Sequence, residues 1–472
     1  DVNLTARGNL MSNDNGVIDA EGDAKLVAKD GDVILKATVN AKNIAIEAGR
    51  DANTAAELTA EAGDVIVEAN SNVKLNGDVD ASNIYVTAKE ESLESNGVLT
   101  ANGAIELFAG THAYINNDVT GGNVRAITIN NMFVDGNIEA TDADIFLMSN
   151  RNAWINGTLK ANTDVYVSAD ESLDVFNTVD AVTGSVMLNA NNSLQAQGAV
   201  TAAGDVSMTT DLGNLDVYGD VKAGEMASFG SNYGNVAVYG DVEADYIVAS
   251  TTNGNASVSG NLTAEDSVTV QAGLDAKVDG DVVAKGDFIR VTGGRDVSTS
   301  NLTAENGGIK VIAGNNADLS NAAKAKEISV EATAGTIASV GTLEATDGDI
   351  TLDAGKDVNY LHANASGNIT ADAGRDIRAY GPTTAGGDVN LTARGNLMSN
   401  DNGVIDAEGD AKLVAKDGNV TLKGTVNAKN VAIEAGRQPQ PFCRGKPCMI
   451  IALRADFIQL LELAFRDRLL TA

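Results

Sequence analysis

Residues 267–286 read SVTVQAGLDAKVDGDVVAKG and hold three short segments in which apolar and polar residues alternate. Val268, Val270 and Ala272 form the first inward set, Ala276 and Val278 the second, Val282 and Ala284 the third. A period of two is the signature of a strand with one buried face. The same frame fits residues 144–163, through Ile145, Leu147, Ala153, Ile155, Leu159 and Ala161. It also fits residues 164–184, through Val165, Val167, Ala169, Leu173, Val175, Val179 and Ala181.

Such phrases return about every 20 residues from Asp1 onward, and a longer repeat lies over them: residues 388–437 copy residues 1–50 with 46 of 50 positions identical. The differences are Asp32 to Asn419, Ile34 to Thr421, Ala37 to Gly424 and Ile44 to Val431. The 387-residue block divides into 19 units, so the copy restarts in register. Three strands with two or three inward side chains each make no core alone, and neighbours must stack on them. Like-on-like stacking sets every strand beside its counterpart in the next unit, running parallel. The fold expected is therefore all-β, a right-handed parallel β-helix (β-solenoid) with about 20 residues per coil; the left-handed form is built on hexads and shorter coils, and no strict hexad is present. With strands about 4.8 Å apart, the stack predicts a rod of roughly 100 Å. Asp opens many units (Asp23, Asp64, Asp144, Asp164, Asp205, Asp287, Asp349), often after a glycine (Gly22, Gly63, Gly204, Gly286, Gly348). Glycine at this corner is expected to supply a positive φ.

Two segments follow: a β-helix shaft over residues 1–437 and a non-repeat tail over residues 438–472. The tail replaces the expected DANTAAEL with QPQPFCRGKPC and contains both cysteines and three of the four prolines. Ile450, Leu453, Phe457, Leu461 and Ala464 share one face of a predicted C-terminal helix, which reads either as a cap for the solenoid or as a frameshift or artificial sequence. Asp1 does not read as a native start, so the chain reads as an internal piece of something larger.

Composition narrows the partners. A net charge of −32 repels nucleic acid and anionic membrane surfaces, and no apolar run is long enough to cross a bilayer without charges. The absence of cysteine before the tail removes disulfide and thiolate-metal frameworks there and is compatible with export in an unfolded state.

Several phrases, GDVNLTARGNL (387–397), GDVILKATVNAKNIAIEAGRD (31–51) and GNITADAGRDIRAYG (367–381), resemble the shaft repeats of filamentous haemagglutinin-like exoproteins, a style shared with autotransporter passengers. The likeness covers residues 1–437. It implies a right-handed parallel β-helix on a secreted or surface-displayed bacterial adhesin, an outer-membrane transporter as partner during secretion, and a host-cell or surface glycan or protein as receptor. The amino-terminal secretion domain of that family and any toxin module are not recognisable here. The expected role is a rigid spacer presenting a binding or toxic tip, without catalysis, cofactor or membrane insertion. The alternative is a β-helix carbohydrate-active enzyme or glycan-binding module, which would need convergent carboxylates in a loop-built groove.

Candidate residues are few. The AGRD and AGKD phrases (Arg50 and Asp51, Lys356 and Asp357, Arg375 and Asp376) recur at one corner and read as solvated turn charges. His112 and His362 have no metal-like spacing and read as surface residues. Asp30 with Asp32, and Asn13, Asp14 and Asn15, resemble calcium turns only superficially, matching no known loop spacing. Ten Asn-x-Ser/Thr triplets, among them Asn156, Asn261, Asn301 and Asn368, are what a chain rich in Asn, Ser and Thr produces by chance. One feature stands out: Tyr114, Phe133 and Trp154 occupy the same outward position of the second segment in three consecutive units. This row is the candidate ligand-contact site, with ladder stabilisation by neighbouring aromatics as the commoner role. Phe146 with Tyr166, and Tyr218 with Tyr239, form shorter outward pairs.

Overall fold

The structure is a computed structural model that describes residues 1–14 and 16–436; the predicted C-terminal helix lies outside the described residues. Among the described residues every regular element is a β-strand. The strands pair in parallel and wind into a β-solenoid of about 22 turns with about 20 residues per turn. Two compact units, Asp1–Thr251 and Thr252–Ala472, are distinguished by their contacts.

In the first unit each coil has one strand of mostly five or six residues followed by two of about three. Val165–Ala169, Ser172–Val175 and Val179–Ala181 make up one coil. Its first strand pairs with Ile145–Ser149 before it (Ile145 with Val165, Leu147 with Val167) and with Val186–Ala190 after it. The second and third strands follow suit, Ile155 opposite Val175 and Leu159 opposite Val179. Seven side chains expected inward from this coil (Val165 to Ala181) are at most 2% exposed. The second unit repeats the scheme: Val268, Val270, Ala276, Val278, Val282 and Ala284 are at most 1% exposed, and Ala272 3%.

Spacing between paired residues varies only from 19 (Asp64 with Asn83) to 23 (Leu10 with Val33). Extra residues are taken up at corners, and the inward phase is retained. Deleting a whole coil should therefore be tolerated, whereas deleting half of one sets strands and corners against the wrong counterparts.

Hydrogen-bonded side chains line the corners. Just before the second strand, Asp51 Oδ1 accepts the Asn72 N–H at 3.0 Å and Asn72 Oδ1 accepts that of Ser92 at 3.1 Å. The second unit has the same device, with Asp296 Oδ1 accepting from Asn316 and Asn316 Oδ1 from Thr336. Corresponding ladders run before the first strand (Asn43 to Asp64, Asp164 to Ser185) and before the third (Asp118 to Asn137, Asn137 to Thr158). Asn and Asp thus satisfy main-chain donors that the turn leaves without a strand partner.

The expected reason for the corner glycines is corrected. None of Gly22, Gly63, Gly204, Gly286 and Gly348 has φ in the left-handed region. Space, not conformation, requires glycine at several corners. A Cβ on Gly63 would land on the Asn43 side chain and the Lys42 carbonyl, and one on Gly204 would sit 2.7 Å from Ser185 Oγ.

Removal of residues 164–184 joins Thr163 to Ser185 and leaves Val186 opposite Ile145. The shortened chain is expected to keep a parallel-sheet circular dichroism spectrum and cooperative unfolding. Removal of residues 164–173 alone should instead abolish cooperative unfolding in the first unit.

Candidate functional site

The outward centre of the second strand forms a continuous row in the first unit, with Lys74, Glu94, Tyr114, Phe133, Trp154 and Asp174 successive partners in register. The three predicted aromatics come together. Tyr114 and Phe133 rings stack at 5.0 Å and 3°, and Phe133 and Trp154 at 4.8 Å and 10°. All three are half-buried.

This geometry limits what the row can hold. Flat aromatic side chains bind sugars chiefly through their faces, and here the faces of Phe133 are covered on both sides by its neighbours. At the lower end, the His112 ring lies tilted 45° to Tyr114 at 6.1 Å. At the upper end, the Trp154 indole N–H donates to Asp174. Ring edges remain outward, and stacking with offset rings accounts for the row as a sheet-stabilising ladder. Phe146 with Tyr166 (4.9 Å, 8°) and Tyr218 with Tyr239 (4.8 Å, 5°) form the two other expected pairs.

The row also affects titration. Partial burial pushes the Asp174 carboxyl above its ordinary value, against the lowering effect of the indole hydrogen bond. Asp216 occupies the same outward position two strands further along, Asp318 is an outward strand centre in the second unit, and burial raises both. A carboxylate flanked by packed side chains loses hydration without gaining a cation.

The AGRD and AGKD corners differ from expectation. Arg50 is exposed and pairs with Asp32 at 2.8 Å, but Asp357 and Asp376 are only 4% and 9% exposed and are not solvated charges. Both stand in the corner ladder, where Asp357 Oδ1 accepts the Asp376 N–H and Asp376 Oδ1 that of Asn396. Arg375 grips Asp357 through two nitrogens, and Arg378 Nη2 reaches Asp376 at 2.8 Å. The hydrogen bond from Arg375 holds the Asp357 carboxyl below the usual carboxylate range. Two stacked carboxylates clamped by two guanidinium groups satisfy each other and leave no free base for catalysis. The regular spacing of Asp357, Asp376 and Asn396 was the available signal; burial at a corner was not readable from it.

The remaining candidates are dispersed. His112 and His362 are half-buried rather than on the open surface; His112 occupies the corner-ladder position, and its buried Nδ1 has no hydrogen-bond partner. Asp30 meets Arg7, Asp32 meets Arg50 and Asp14 meets Lys36 in ion pairs, while Asn15 lies outside the described residues. Among the described residues no cluster of three or more His, Cys, Asp or Glu is placed to hold a metal ion. Two aromatics that the sequence reading did not single out, Phe229 and Tyr360, are wholly buried. Burial pushes the Tyr360 phenol up to about 12, and its hydroxyl bonds Thr383 Oγ1 at 2.8 Å.

These environments give opposite responses to pH. A lowered folded value means that the Asp357 contribution is present above the ordinary aspartate value of about 3.9 and is lost as pH falls through the lower folded value. Asp357→Ala, which strands the Arg375 guanidinium and the Asp376 N–H, should cost about 1–3 kcal/mol at neutral pH, with the deficit shrinking in strong acid. Asp174→Asn should have the reverse sign, because a raised folded value means ionisation weakens the native state as pH rises. Its melting temperature should exceed the parent's at pH 7 and match it near pH 3. Thermal unfolding of both variants across this range checks both statements.

Comparison of the chain with protein-family models, with curated proteins and with solved structures finds no match.

Proposed function

We propose that this chain is shaft material of a secreted bacterial surface protein of adhesin type, a stiff spacer that carries a binding or toxic tip away from the cell. The observation that supports this most is uniformity: within each unit, paired strands are separated by 19 to 23 residues, so among the described residues no paired coil carries a loop long enough to wall a deep groove. Catalytic and binding clefts on rigid scaffolds are ordinarily built by such loops. What remains is a ladder of main-chain hydrogen bonds along the coil-stacking direction, which resists extension and bending. The 387-residue copy in register suits a role in which length matters and individual coils are interchangeable.

The acidic surface fits the same role. Like charges on neighbouring chains discourage lateral association of exposed strands. Secretion through an outer-membrane transporter and attachment to a host-cell or surface receptor rest on the resemblance of the repeats to filamentous haemagglutinin-like exoproteins.

The test is a reach assay. A small binding module is displayed on a bacterial surface through this chain, and cell capture is measured on targets set behind polymer brushes of graded height. Capture past the taller brushes should decline as whole coils are removed and should be unaffected by replacing Tyr114, Phe133 and Trp154 with threonine. Indifference to coil number would contradict the spacer role, as would depolymerisation of a polysaccharide by the purified chain.

A further inference from the structure

The outward faces of the long first strands carry a second concentration of large side chains. In one row Tyr85, Glu106, Arg125 and Phe146 are successive register partners, and beside it run Thr87, Phe108, Ile127 and Met148. Between these rows lies a pocket of about 200 Å³ lined by Tyr85, Thr87, Glu106, Phe108, Arg125 and Ile127.

An ion pair that the register allows is not made at this pocket. Elsewhere an acid and a base in one outward row on adjoining coils bridge: Lys74 to Glu94 at 2.9 Å, Lys160 to Glu139 at 2.7 Å, Lys222 to Glu243 at 3.1 Å, Lys324 to Glu344 at 3.2 Å. Glu106 and Arg125 are register partners too. Yet the Arg125 guanidinium turns away and lies over the Phe146 ring, 5.2 Å from its centroid. Each of the two is exposed and lines the pocket, and the two are not paired with each other. Half-buried Tyr85, Phe108 and Ile127 supply apolar walls. Desolvation, with Asp64 and Glu106 nearby, raises the Tyr85 phenol, which therefore stays protonated and able to donate.

We propose that this pocket binds one ring of a neutral sugar, with vicinal hydroxyls bridging Glu106 and Arg125 and the C–H face of the ring against Phe108. A space of about 200 Å³ equals about six or seven waters at ~30 Å³ each, which accommodates a single pyranose ring. A carboxylate that accepts beside a fork that donates matches a pair of hydroxyls, each of which does both. A small number of polar groups on an otherwise apolar wall is the usual make-up of a ligand site. Neutrality follows from charge: Glu106 lines the pocket, Asp64 acts on the Tyr85 beside it and the chain carries −32 overall, which disfavours uronate and sulfated sugars. Unlike the stacked row of Tyr114, Phe133 and Trp154, Phe108 has no aromatic neighbour in register, its partners being Thr87 and Ile127. The site goes beyond the shaft role and stands whether or not that role does, since binding is read on the purified chain.

Saturation-transfer difference NMR of the full chain with methyl β-galactopyranoside, methyl α-mannopyranoside and methyl β-N-acetylglucosaminide tests it, with methyl β-glucuronide as the anionic arm. At least one neutral glycoside should bind saturably with a Kd of about millimolar, as expected for so few contacting atoms. Arg125→Ala and Phe108→Ala should weaken it about tenfold or more. Arg125→Lys, which keeps the charge and loses the fork, should also weaken it, and Trp154→Ala should leave it unchanged. Circular dichroism confirms that each variant is folded. The proposal is overturned if no neutral glycoside binds, if only the glucuronide binds, or if folded Arg125→Lys and Arg125→Ala bind as the parent does.

Discussion

Everything in this molecule depends on main-chain hydrogen bonding between a coil and the next. A coil alone has unpaired N–H and C=O groups on both edges and seven or so inward side chains with nothing to lie against, so its burial cannot offset the entropy of ordering it. Stacked, the same residues become continuous columns, as where Leu147, Val167 and Leu188 follow one another inward. The columns fix register, because a slip of one residue would turn every inward side chain outward.

The corners carry the second requirement. Each turn interrupts the main-chain ladder, and the interrupted donors meet Asn and Asp side chains from the coil before. This explains why the chain is so rich in these residues. Where the corner carboxylate is buried, as at Asp357 and Asp376, guanidinium groups from the same and the following coil close over it. A buried charge of this kind must be paired, and the Arg375 to Asp357 and Arg378 to Asp376 contacts do so without distorting the register.

The inward sets of residues 144–163, 164–184 and 267–286 were legible in the sequence because a period of two needs no knowledge of partners. The stacking of Tyr114, Phe133 and Trp154 was legible for the same reason, once the coil length was known. Other features depended on contacts between coils. The corner glycines look like turn residues, yet side chains and carbonyls of the coil below are what a Cβ would meet. Asp357 looks like its exposed counterparts, and only the closure of Arg375 and Arg378 distinguishes it. The pocket beside Arg125 rests on a rotamer: the guanidinium faces Phe146 on one side instead of Glu106 on the other, and neither sequence order nor spacing encodes that choice.

Register is therefore the quantity to measure, and disulfide trapping reads it directly. Thr201 and Lys222 are outward partners on adjoining coils, while Ala223, one residue on, points inward. With Cys443 and Cys448 replaced by serine, cysteines are placed at positions 201 and 222 in one variant and at 201 and 223 in another. Adjoining parallel strands set in-register Cα atoms about 4.8 Å apart, within the Cα range of a disulfide, and a small shift brings the sulfurs together. Like-on-like stacking requires rapid, near-complete oxidation of the 201/222 pair and little of the 201/223 pair. Equal trapping of both, or none of the 201/222 pair in the folded chain, would contradict it.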